Sequence, residues 1–263
     1  MPHVLERQPL ERLPRLGVLA WLLATISVIG SWLAASWMLA NHPEPLDRAL
    51  GVGLVGAVGA RLVWVSLRTW WATRTRRARH TDAAAILGRH DPELGVVVLD
   101  SPQPAAYCLP RSGGGLVVVT TGTTSMLSAR QLRAVLAHER AHLDGRHHAL
   151  LGLGQALSQT FPSLRLFRQL GGQVHRLLEM HADDAAARVH GRRTVAAAIA
   201  LMSDATNPSG AMGMGGPTAY ARVLRLVQVD RRPGPGSIGL VLTAIILAAG
   251  PFLATLPHCP HPW

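Results

Sequence analysis

The sequence predicts a mainly α-helical, multi-pass membrane chain that carries one compact domain with a small antiparallel β-sheet. Three observations predict it. Three long apolar runs hold few charges, 16–40, 49–67 and 238–256, each close to the length needed to cross a bilayer. Between the second and third runs, short β-rich stretches alternate with Pro and Gly clusters, and helical-period segments follow. The charge of +11 comes wholly from arginine, since the 26 basic residues include no lysine, and much of it flanks the apolar runs. The positive-inside rule explains that placement better than nucleic-acid binding does. Two cysteines, Cys108 and Cys259, exclude a disulfide framework. Cys108 reads as a small buried residue.

Arg7, Arg12 and Arg15 precede the first run, which is too long for a signal peptide and reads as an uncleaved span. A short turn holding Pro43 and Pro45 leads to the second run, closed by Trp70, Trp71 and the cluster Arg68, Arg74, Arg76, Arg77 and Arg79. Interfacial aromatics with arginines beyond them place this end in the cytoplasm. Gly51, Gly53 and Gly56 match a dinucleotide-binding fingerprint but lack a preceding strand, so they read as helix-packing small residues. Arg61 reads as a side chain that snorkels to the interface. Residues 1–79 therefore form a hairpin of two spans with a basic linker.

Residues 80–232 read as the compact domain. A short helix over 82–87 comes first, then a turn at Asp91 and Pro92, then strands at 96–99, 105–109 and 116–120. Ser128 and Gln131 form a capping-box pattern for the helix that follows, with Leu132, Val135, Leu136 and Leu143 on its apolar side. Residues 147–161 are too short to span and read as a buried or interfacial helix. Further helices are expected over 173–189, 192–202 and 218–229, with a flexible Gly- and Met-rich loop over 207–217. The breaker Arg231-Arg232-Pro-Gly-Pro-Gly precedes the third span. The arginines then predict a cytoplasmic amino terminus, a cytoplasmic domain and a short external C-terminal tail, leaving no room for an external sensor domain.

The helix after Ser128 carries His138-Glu139-Arg140-Ala141-His142. Residues four apart share a helix face, so both imidazoles can bind one Zn2+ while Glu139 serves as general base toward water. A catalytic zinc usually takes a third protein ligand. His148, with Gly145, completes the longer metzincin spacing, whereas Glu179 gives a two-His, one-Glu gluzincin set. Glu179 is the only glutamate after the motif, and Asp183 lies one helical turn beyond it, placed to orient a ligand imidazole. His181 is expected on the other side of that helix. These points favour Glu179, with His148 as the alternative. No residue stands out as an oxyanion stabiliser, and strand 116–120 is expected to pair with an extended substrate.

Ala106-Tyr107-Cys108-Leu109-Pro110, the strand Val117 to Thr121, Ala134 to His142, and Glu179 with Asp183 together resemble the BlaR/MecR-type regulatory metallopeptidases. More distantly they are similar to HtpX-type and CAAX prenyl endopeptidases, which share H-E-x-x-H followed by E-x-x-x-D. The resemblance implies a membrane-anchored, zincin-like (gluzincin) endopeptidase with one Zn2+ held by His138, His142 and Glu179. It implies a protein or peptide substrate, with a transcriptional repressor as one candidate and a separate sensor supplying the signal. The other two readings are an HtpX-type membrane quality-control protease and a non-catalytic metal-binding adaptor. An intact Glu139 argues against the last.

Overall fold

The computed structural model describes residues 11, 13–111, 114–206, 216–228, 239 and 242–243, with side chains of 76–86, 114, 206 and 216–218 left aside. The expected third span, the C-terminal tail and most of the Gly- and Met-rich loop lie outside them. The described chain forms helices α1 (Pro14–Ala40) and α2 (Pro45–Leu87), strands β1 (Gly88–Asp91), β2 (Val96–Leu99), β3 (Ala106–Arg111) and β4 (Gly114–Thr120), then helices α3 (Thr121–Met126), α4 (Ala129–Asp144), α5 (His147–Thr160), α6 (Arg165–His190), α7 (Arg192–Thr206) and α8 (Gly216–Val227). It divides into two compact units.

The first unit holds the described residues up to Thr69 together with Leu153–Val174, so the end of α5 and the start of α6 group with the amino-terminal helices. Two helical stretches, Pro14–Ala40 and Pro45–Thr75, are long and apolar enough to cross a membrane. The second leaves Leu50, Leu54, Val63, Trp64 and Leu67 exposed, a surface that suits lipid. No Pro or Gly interrupts the chain from Arg61 to Leu87, and Ala and Arg favour helix. The expected linker and short helix are accordingly the continuation of one helix, α2. At Gly51 a Cβ would come within 2.6 Å of Ala40 N, so glycine here permits close helix approach, whereas Gly53 and Gly56 meet nothing. Arg61 does not snorkel: its Nε donates to Thr160 O at 2.8 Å and satisfies a carbonyl at the end of α5.

The second unit, Trp70–Gly152 and His175–Arg231, is built on a sheet of order β1-β2-β4-β3. The sheet is mixed rather than antiparallel: β1–β2 and β3–β4 run antiparallel, but β2 and β4 pair in parallel. The loop from Asp100 to Ala105 carries the chain past the place beside β2, so β3 starts at the outside and its partner β4 returns into the gap. Thr120 Oγ1 donates to Gln103 O at 2.8 Å and accepts from Ala105 N at 2.9 Å, holding that loop. Interior position explains why Val96, Val97 and Val98 are all buried, since a strand covered on both faces need not alternate.

One sheet face packs on α4: Val96, Val98, Val117 and Val119 meet Leu127, Leu132 and Leu136 in one core. The expected capping box is present, with Ser128 Oγ accepting from Gln131 N and Gln131 Oε1 accepting from Ser128 N at 2.9 Å. On another side of α4, Ala134 packs with Ala186, Val195, Ala196 and Leu226. Arg192 donates to the carbonyls of Arg225 and Leu226 at 2.8 and 3.0 Å, closing the end of α8. α4 is thus fixed between the sheet and the helices that follow.

Candidate metal centre

α4 presents His138 and His142 on one face, and α6 brings Glu179 to them. Nε2 of His138 and Nε2 of His142 lie 3.1 Å apart, and the Glu179 carboxylate oxygens lie 3.5 and 3.2 Å from them respectively. Two donor atoms each about 2.1 Å from a tetrahedral zinc are themselves about 3.4 Å apart. The two imidazole nitrogens and the Glu179 carboxylate are thus spaced closely enough to share one ion, and this nitrogen and oxygen donor set suits zinc. Among the described residues no other His, Cys, Asp or Glu joins the group. His148, the alternative third ligand, is not part of it.

The partners behind these atoms differ. Nδ1 of His138 sits 3.1 Å from Oδ1 of the wholly buried Asp183. It counts as an ionic contact rather than a well-aligned hydrogen bond. Arg222, from α8, donates to both Asp183 oxygens at 2.7 and 2.8 Å and places Nη1 3.0 Å from Glu179. His142 instead meets His147, which in turn meets His181. His181 was expected away from the site; it lies at the end of this histidine chain.

Burial alone would lower the His138 pKa, but Asp183 and Glu179 outweigh it and hold the imidazole up at about 9. A metal must displace that proton. Burial acts upward on Glu179 and Asp183, yet His138, His142 and Arg222 pull Glu179 well below the usual carboxylate range, and Arg222 and His138 pull Asp183 down. Glu139 goes the other way, raised chiefly by burial against the attraction of His138 and His142. Cys108 of β3 is the weakest of the influences on it, and its thiol is itself pushed up to about 12 by burial and by the Glu139 charge.

A cavity of about 260 Å³ opens beside Glu139, lined by Val135, Val195, Ile199 and Met202 with Arg222 and Glu179 at its polar side. Ala106 of β3 borders it. Strand β4 cannot take an added strand, because β2 and β3 occupy both its edges; among the described residues β3 is the unpaired edge next to the cavity. Sequence reasoning missed Arg222, although a signal was there: Asp183 and Asp184 on α6 face Arg222 and Arg225, one turn apart on α8. It also missed His147.

The profile of peptidase family M48 matches residues 71–168, a stretch that contains His138 to His142 and ends before Glu179. The chain is 27% identical over 139 residues to the protease HtpX homologue of Halobacterium salinarum, covering 48% of this chain and 46% of that one. It is 39% identical over 67 residues to protease HtpX of Idiomarina loihiensis, covering 25% and 23%. It is 37% identical over 90 residues to the plastoglobule-localized metallopeptidase 48 of Arabidopsis thaliana, covering 34% and 26%. The chain thus spans less than half the length of these relatives. No solved structure matches it. The likeness is to M48 and HtpX-like metallopeptidases, not specifically to the BlaR/MecR type, which shares the same short motifs.

Proposed function

We propose that this protein is a membrane-anchored zinc endopeptidase of HtpX-like kind, acting on protein or peptide substrates at the cytoplasmic face. The observation that carries the reading is the grouping of His138, His142 and Glu179 with Glu139 beside them. His138, His142 and Glu179 would hold the zinc, which when bound polarises the scissile carbonyl and acidifies water.

The chain's own residues supply the rest. Burial makes the Glu139 carboxylate more basic than usual, so it can take a proton from the attacking water and pass it to the leaving amine nitrogen. The free edge of β3 offers backbone donors and acceptors to an extended substrate. The cavity lined by Val135, Val195, Ile199 and Met202 accepts an apolar side chain next to the scissile bond, which suits unfolded or membrane-derived segments. The HtpX-like relatives suit an HtpX-type quality-control role at least as well as cleavage of a repressor.

Replacing Glu139 by Gln should lower cleavage of a casein-like substrate by at least about a hundredfold, with zinc content unchanged. Retained turnover would sink the mechanism. Proteins trapped by the Gln variant would then identify the substrate class.

A further inference from the structure

The end of α4 is shaped around one buried imidazole. Gly145 follows the helix, and Arg146 takes a left-handed backbone with φ 48°, a region that side-chain-bearing residues rarely enter. This turn folds His147 back over the helix it has just left. A Cβ at Gly145 would lie 2.4 Å from His147 Nε2 and 2.6 Å from its Cδ2, so the ring fits only because residue 145 has no side chain. His147 is 2% exposed. Its Nδ1 lies 2.8 Å from His142 Nδ1, and its Nε2 lies 3.1 Å from His181 Nδ1.

The metal-facing atom of His142 is Nε2. A neutral imidazole whose Nε2 lone pair is committed to a cation must carry its hydrogen on Nδ1. That hydrogen points at His147 Nδ1, which must then be bare and accept it. His147 consequently carries its hydrogen on Nε2 and donates to His181 Nδ1. One ligand bond therefore dictates the tautomer of three rings in a row.

Resting on the zinc-peptidase reading, we propose that His147, backed by His181, is a positioning residue that fixes the tautomer and ring plane of His142 for zinc.

The test is zinc affinity of the full-length protein in detergent, titrated with zinc against a competing chromophoric chelator. His147→Leu should weaken zinc binding by about 10- to 100-fold, the usual effect of removing a partner behind a metal ligand. His147→Asn, whose Oδ1 can stand in for the accepting nitrogen, should recover most of it, and His181→Leu should cost less than His147→Leu. Thermal midpoints of the metal-free forms separate folding from metal binding. His147→Leu binding zinc within about threefold of wild type would overturn the proposal. Should that variant fail to fold, 15N spectra of histidine-labelled zinc-loaded wild type, assigned with His147→Asn, decide instead: a bare Nδ1 on His147 supports the assignment, and a protonated Nδ1 overturns it. A wild-type chain that binds no zinc overturns the peptidase reading and this proposal together, whereas binding indifferent to residue 147 overturns this proposal alone.

Discussion

The two motif histidines sit 3.1 Å apart at Nε2 but are held from behind by opposite chemistry. His138 backs onto a buried charge system, Asp183 clamped by Arg222. His142 backs onto a row of imidazole rings, His147 and then His181, neutral in the proposed tautomers. The charged side is strong only while complete, because each buried ion depends on its counter-ion. The neutral side carries no such liability, and its sense is set by which nitrogen bears hydrogen.

The largest effect should come from breaking the charged side. Asp183→Ala leaves Arg222 buried beside Glu179 without its main partner, and removal of one member of such a pair costs about 3–5 kcal/mol. Chemical denaturation of the metal-free protein should show a loss of that order, and zinc binding should fall with it. A loss no larger than that of an exposed substitution would mean that Asp183 and Arg222 are not the anchor described. A smaller effect should follow on the neutral side from Gly145→Ala, whose Cβ would meet the His147 ring at 2.4 Å. Displacing the ring should weaken zinc binding by up to about tenfold while leaving metal-free stability closer to wild type. Equal stability losses for both variants would erase the contrast between the two sides.

The difference in chemistry matches what could be read beforehand. Helix periodicity and the Ser128 cap are local, so α4 and the face bearing His138 and His142 were legible, and so was the pairing of Glu179 with Asp183 one turn on. His147 was not. The longer spacing drew attention to His148, and only a left-handed backbone at Arg146, a residue with no local preference for it, turns the ring of His147 inward instead. Arg222 lies on a helix expected from periodicity, but no motif announces it; the doubled acids Asp183 and Asp184 opposite Arg222 and Arg225 were the available clue. Strand positions were legible and strand order was not, because alternation reports a buried face and says nothing about which strand lies alongside. The run Val96 to Val98, apolar without alternation, was the one hint that β2 is interior.

The smallest effect tests a residue that belongs to neither side. Cys108 lies on β3, and its thiol, as a donor to Glu139, lowers the carboxyl pKa slightly against the upward push of burial. In Cys108→Ala the donor is gone, so the Glu139 pKa should rise. As the proposed base Glu139 must be ionised, so activity is lost as pH falls through its pKa. The acid limb of kcat/KM should therefore move to higher pH, by less than about one unit given the weakness of a thiol donor, with little change at the plateau. Cys108 is not a member of the candidate metal group, so zinc affinity should stay at the wild-type value. A shift in zinc affinity without a shift in the acid limb would instead make Cys108 a contributor to the metal set rather than a modifier of the base.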